Sequence, residues 1–143
     1  MRPKVYVTQP IGPTALARLK KIAEVEMVPD GSKIVPKADM IAGVKRSDIL
    51  FALLHDVVDG EVMDANPNLK AIVSMSITPD RIDVAGATKR KIPVTVVPAM
   101  AVETTADISW ALMMAVARNI VPADRFVRSG GFPGAQANLF AGG

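Results

Sequence analysis

"LKAIVSMSITPDRIDVAGATKRKIPVTVV", residues 69–97, carries one full cycle of the pattern that decides the fold. Leu69 to Met75 is an apolar run of strand length. Ser76 to Asp83 is a polar turn, Asp83 to Lys91 is compatible with a helix, and Pro93 to Val97 is β-rich again. A strand, a helix and a second strand in this order predict parallel pairing, because parallel neighbours need a long crossover.

The same alternation extends outward. "KVYVT" (4–8), "AEVEMV" (23–28) and "DILFALL" (48–54) are further strand-like runs, mostly apolar, as expected where both faces of a sheet are covered. Between them lie "PTALARLKKIA" (13–23), "PKADMIAGVKR" (36–46) and "GEVMDAN" (60–66). Leu16, Leu19 and Ile22 recur at helical spacing, and Pro13 and Pro36 stand where a first helical turn tolerates them. The reading is an α/β fold: a flavodoxin-like, parallel five-stranded sheet in the order 2-1-3-4-5 with helices on both faces. In such sheets ligands bind at the carboxyl ends of the strands. That edge is bounded here by Thr8-Gln9-Pro10, Leu54-His55-Asp56, Ser76-Ile77-Thr78-Pro79 and Val97-Pro98-Ala99.

After the fifth run the pattern changes. "DISWALMMAVARNI" (107–120) reads as a long helix that is apolar on almost every side, with Thr104 as its N-cap and Asp107 as partner in a weak capping box. Five of the ten glycines then fall between Gly130 and Gly143, the composition of a loop or linker. The expected organisation is a flavodoxin-like domain at 1–98, the long helix and its following segment at 99–128, and a flexible tail at 129–143. The chain is expected to stop inside a connection.

Composition narrows the chemistry. The 143 residues suffice for one sizeable core, and the net charge of +3 comes from scattered Lys and Arg, with Lys89-Arg90-Lys91 the densest run. One Trp, one Tyr and four Phe offer few stacking partners, so nucleic acid is not an expected ligand. There is no cysteine and one histidine, which excludes disulfides, a thiolate nucleophile and a Cys or multi-His metal centre. The longest apolar run, Ile108 to Ala117, is too short to span a bilayer, and the N-terminus has no signal-like segment, so a cytoplasmic location is expected. The eight methionines are spread over several elements and read as core filling.

The candidate chemistry lies on the strand ends. His55 follows a buried run and can serve as acid, base or substrate contact, or simply as a surface residue. In "SITPDRID" (76–83) successive backbone N–H groups at Ser76, Ile77 and Thr78 can hold a small anion, while the alternative is a plain strand-to-helix turn capped by Asp80. Asp80 and Asp83 are open to a capping, a solvated or an acid–base role. The sequence contains no GxGxxG, Walker, HExxH or GxSxG motif.

Residues 69–132, together with "MRPKVYVTQPIGPTALARLKKIAEVEMVP" and "DVVDGEVMDANPNLK", resemble the D-isomer-specific 2-hydroxyacid dehydrogenases over essentially the whole chain. The resemblance implies a flavodoxin-like substrate domain and a long helix crossing to a Rossmann domain that binds NAD or NADP. It implies a small anionic substrate held on backbone amides at the turn after the fourth strand. The family pattern there is Gly-Val-Gly-x-Asp-x-x-Asp; Asp80 and Asp83 match it, while Ser76 and Thr78 replace the glycines. Leu54 matches a position that contacts substrate, and Thr105 one that approaches the nicotinamide side of the cofactor. Residues 126–140 look most like the phosphite dehydrogenases, which carry a lysine where this chain has Ile77.

The family's GxGxxG turn and its catalytic Arg, Glu and His would follow Gly143, so this polypeptide is not expected to turn over or to bind the dinucleotide alone. What covers the 107–120 helix is then the missing Rossmann domain, a second subunit of a homo-oligomer, or both. The alternative reading is a stand-alone, non-enzymatic binding or assembly module that oligomerises through that helix.

Overall fold

The computed structural model describes residues 2–98 and 102–134. The chain forms two compact units, Met1–Pro98 and Ala99–Gly143.

The first unit is built on strands β1 (Lys4–Val7), β2 (Glu24–Met27), β3 (Ile49–Ala52), β4 (Ala71–Ser74) and β5 (Val94–Thr95). They form one parallel sheet in the order β2-β1-β3-β4-β5. Helices α1 (Pro13–Ile22), α2 (Lys37–Val44), α3 (Gly60–Asp64) and α4 (Val84–Lys89) supply the crossovers. The order expected from the sequence is therefore observed.

Register sorts the side chains into two layers. Tyr6, Leu50 and Ile72 lie side by side on one face. They pack with Met40 and Val44 of α2, Val62 and Met63 of α3, and Ala87 of α4 in the main core. On the other face Val5 and Val7, with the partly buried Val25, Met27, Ile49 and Phe51, meet Leu19 of α1 and the following Ala23. Burying an aliphatic side chain of this kind contributes about 1.5–3 kcal/mol, so the main core supplies most of what holds the sheet against its helices. Gly43 of α2 lies so close to Tyr6 that a β-carbon there would overlap the ring. That close approach lets α2 lie directly on β1.

Helix ends show how local sequence sets these boundaries. Pro13 opens α1, where its missing N–H costs nothing. Asp59 and Asp83 cap α3 and α4, accepting from the backbone N–H of Val62 and of Gly86. Asp83, not Asp80, is thus the cap of the fourth helix. The sequence offered both acids, and the helix starts only after Asp83. At its far end Ile92 N–H bonds the Ala87 carbonyl and Lys91 N–H the Thr88 carbonyl, a Schellman closure that puts Lys91 in the left-handed region at φ 58°.

The second unit contains α5 (Val102–Ala117) and α6 (Ile120–Arg128). The apolar helix thus lies further toward the N-terminus than 107–120. Thr104 lies inside it rather than capping it, because helical structure already runs from Val102. Its end is set by Asn119, left-handed at φ 51°, which closes α5 and opens α6. Trp110, Leu112 and Val116 of α5 are 62%, 60% and 78% exposed. Within the expected tail, Gly130 (φ 77°) ends α6, and residues 135–143 lie outside the described residues. No described helix is long and apolar enough to cross a membrane.

Candidate functional site

The carboxyl edge of the sheet is held together by hydrogen bonds between turns rather than by packing alone. At the end of β1, Thr8 N–H donates to the Phe51 carbonyl at 3.2 Å, and the Thr8 hydroxyl donates to Asp56 Oδ2. The same carboxylate oxygen accepts from Leu53 N–H at 2.7 Å, and Asp56 N–H returns to the Leu53 carbonyl at 3.1 Å. Residues 53–56 therefore form a closed turn above β3, with Leu54 and His55 at its tip.

The turn after β4 is tied to this one and to β5. Met75 N–H donates to the Ala52 carbonyl, Ser76 N–H to Ser74 Oγ, and Val97 N–H to the Ser76 carbonyl at 3.0 Å. Further out, Val58 and Ile82 form a parallel bridge: Val58 N–H donates to Arg81 O and Asp83 N–H to Val58 O, each at 2.9 Å. The two loops that carry Leu54, His55, Ser76, Ile77 and Thr78 are thus stitched into one surface. Thr105 belongs to the second unit, on α5, where its carbonyl accepts from Ser109 Oγ at 2.7 Å.

On these turns the N–H groups of Leu54, His55, Ile77 and Thr78 donate to no acceptor among the described residues, and neither do those of Asp80 and Arg81 further along the second turn. Unpaired amides of consecutive residues in a turn carry partial positive charge of the kind that suits a carboxylate. Ser76 and Thr78 stand where the family pattern has glycine. Neither has a positive φ, since Lys91 and Asn119 are the non-glycine residues with one among those described. The turn therefore keeps an ordinary backbone, and the consequence of the two replacements is bulk at its rim. Ile77 adds an apolar side chain, 45% exposed.

The titratable groups nearby are largely committed to structure. Thr78 Oγ1 donates to Asp80 Oδ2 at 2.6 Å, and Asp83 caps α4. Asp59 bonds Lys37 at 2.6 Å, which holds its carboxyl below the usual range and raises the Lys37 ammonium. The His55 imidazole is exposed and makes no hydrogen bond among the described residues, so no acid–base pair is assembled around it here. A shallow groove beside the turns is lined by Asp59, Asp80, Asp83 and Arg81. Its acidic excess repels an anion, leaving the amides of the two turns as the anion-compatible surface. Among the described residues no group of His, Cys, Asp and Glu is placed to hold a metal.

One part of this arrangement is invisible to sequence reasoning. Thr8 and Asp56 are expected on the edge, but not their bond to each other, which joins residues 48 apart in the chain.

The comparisons agree with this architecture. Residues 5–124 match the model of the D-isomer specific 2-hydroxyacid dehydrogenase catalytic domain. A glyoxylate reductase of Thermococcus litoralis is 41% identical over 130 residues, 91% of this chain and 39% of that enzyme. A solved protein of Thermus thermophilus superposes with a TM-score of 0.85 at 34% identity, covering 97% of this chain and 44% of that one. A glyoxylate/hydroxypyruvate reductase of Sinorhizobium meliloti, described as NADPH-dependent and solved with NADP and malonate, superposes with a TM-score of 0.70 at 25% identity, covering 97% and 44%. The chain thus spans about two-fifths of the length of the curated relatives it matches. With a matching family model over most of its residues and the sheet order and strand-end turns described above, the chain belongs to the D-isomer specific 2-hydroxyacid dehydrogenase family.

Proposed function

We propose that this chain is the substrate-binding part of an NAD(P)-dependent reductase of small 2-oxo acids, of which glyoxylate is the test case. The observation that carries the reading is the set of open amides at Leu54, His55, Ile77 and Thr78, held on two turns that are hydrogen-bonded to each other. They orient the substrate carboxylate, each contact to a charged group being worth about 1.5–3 kcal/mol. Ser76, Thr78 and the exposed Leu54 narrow the approach, which favours a short acid over a branched one.

The starts of α1, α3 and α4 do not suit a dinucleotide. The N-terminal amides of α3 and α4, where a pyrophosphate would sit, already bond the carboxylates of Asp59 and Asp83, and α1 opens on a proline with no N–H. In this reading the cofactor is held by another part of the enzyme, and Thr105 on α5 faces that part. The exposed apolar residues of α5 are covered there or by a second copy of the chain.

The test is a chimera in which this chain replaces the 130 matched residues of the Thermococcus litoralis enzyme. Glyoxylate-dependent oxidation of NADH or NADPH is the expected result. Thr78→Trp, which blocks the amides, should raise KM by about tenfold or more, equivalent to one lost contact of about 1.4 kcal/mol. A folded chimera whose KM ignores that substitution refutes the assignment of the anion to this turn. An inactive chimera, together with a stable oligomer of the 143-residue chain, favours an assembly module instead.

A further inference from the structure

Asp56 is 2% exposed and Thr8 fully buried, in a region where the sheet edge meets solvent within a few residues. Polar side chains at such burial are retained at a cost unless their hydrogen bonds are complete. Here they are incomplete in a specific way. Oδ2 of Asp56 accepts from Leu53 N–H and from the Thr8 hydroxyl, and Thr8 Oγ1 also stands 3.2 Å from Leu53 N–H, whereas Oδ1 of Asp56 is buried with no partner among the described residues. If the carboxyl served only to fill space, an aliphatic residue would do so without the orphaned oxygen. What the side chain provides, and an aliphatic one does not, is one oxygen that gathers a donor from the end of β1 and a donor from the end of β3.

We propose that Asp56 is the positioning residue of this edge. Its buried carboxylate, shared with Thr8, locks the 53–56 turn so that the N–H groups of Leu54 and His55 point outward and hold their geometry against the amides of Ile77 and Thr78. Leu53 N–H is fixed inward by Asp56, which commits it and leaves the next two amides unpaired. The inference rests on the anion-binding reading for its effect on affinity. The lock itself is a property of the unliganded chain.

Both parts can be measured on the 143-residue chain by amide NMR, with glyoxylate as the probe. In Asp56→Ala, Leu53 N–H should exchange with solvent at least about tenfold faster, the Leu54 and His55 signals should shift or broaden, and glyoxylate affinity at residues 54, 55, 77 and 78 should fall about tenfold. Exchange at Val44 and Leu69, remote from this edge, serves as the folding control. Asp56→Asn keeps one carbonyl acceptor for Leu53 and Thr8 and should restore exchange and affinity to within about threefold of the parent. Thr8→Val, which removes one of the two donors, should give an intermediate loss, and Thr8→Ser should recover it.

Unchanged Leu53 exchange in Asp56→Ala overturns the lock, and so does equal loss in Asp56→Asn and Asp56→Ala. Faster Leu53 exchange in Asp56→Ala with glyoxylate affinity unaltered upholds the lock and overturns its role in binding. If the parent chain shows no glyoxylate shifts at these four amides, the anion-binding reading fails and takes the affinity claim with it, while the exchange data still decide the lock.

Discussion

Replacing Lys91 by glycine should stabilise the first unit. Lys91 is the left-handed residue of the Schellman closure after α4, with φ 58° and both closing hydrogen bonds in place at 2.9 and 3.0 Å. A side chain in that conformation costs about 1–2 kcal/mol, and glycine gives back about 0.5–1 kcal/mol of it through the greater freedom of the unfolded chain. A further few tenths are lost with the lysine charge near the helix C-terminus. The net gain is about 0.5 kcal/mol, or a few degrees in melting temperature for a unit of this size. The same chain already solves the same problem with glycine: Gly130 closes α6 with bonds from its own N–H to Val127 and from Gly131 to Phe126. Urea unfolding followed by the near-ultraviolet dichroism of Tyr6, the chain's one tyrosine, reads this unit selectively, since Trp110 lies in the other. Lys91→Ala is the control, because alanine keeps the conformational cost and loses the charge, and it should be neutral or slightly destabilising. Stabilisation by alanine equal to that by glycine, or a loss with glycine, would refute the backbone argument.

Gly43→Ala should destabilise the first unit by about 1–2 kcal/mol. Overpacking against Tyr6 outweighs the gain in helix propensity, and Tyr6→Leu should absorb most of the effect in a double-mutant cycle. Acid should weaken the fold in a defined window. The carboxyls of Glu26, Asp48, Asp59 and Asp64 are held low by Arg46, by the backbone N–H of Lys4, by Lys37 and by Arg90 respectively. Lowered native values favour folding above the unfolded-state values and lose that contribution as pH falls through the native ones, so urea midpoints should be flat from pH ~7 to ~5 and drop below ~4. Lys37→Met should flatten part of that drop, and an unchanged profile would remove the pair from the explanation. Met113→Asp with Val116→Asp should abolish self-association of the chain in sedimentation measurements if a second copy covers α5; an unaltered oligomer would place the interface elsewhere.

The strands were legible because a parallel sheet covered on both faces leaves uninterrupted apolar runs, and "DILFALL" and "LKAIVSM" mark β3 and β4 to within a few residues. Helix ends were less so. Thr104 has the residue type of a cap but sits within α5, and Lys91 occupies a position where glycine would have signalled the turn. Where tertiary packing imposes the conformation, local propensity leaves no trace of it. The candidate site followed the same division. Leu54, His55, Ser76, Ile77 and Thr78 were placed on the edge by the rule that ligands meet α/β sheets at strand ends, while a substrate contact for Leu54 came only from the family resemblance. The bond between Thr8 and Asp56 depends on which two distant turns face each other at side-chain resolution, and no local spacing encodes that.

The inventory of this edge also limits what it can do chemically. Its open donors are backbone amides, which orient a charge but do not transfer their protons at neutral pH, and the exposed His55 imidazole, around which the described residues assemble no acid–base partner. Its carboxylates are each engaged: Asp56 by Thr8 and Leu53, Asp59 by Lys37 and the α3 amide, Asp80 by Thr78, Asp83 by the α4 amide. Reduction of a 2-oxo acid needs a hydride donor and a proton donor placed within a few tenths of an ångström of the reacting carbon and oxygen. Under the proposed reading this chain therefore contributes precision rather than reactivity. The cost of misplacing the substrate carboxylate falls on chemistry performed by a different part of the enzyme. In that reading, the hydrogen bonds that tie the strand-end turns together from β1 to β5 serve to hold the carboxylate in place.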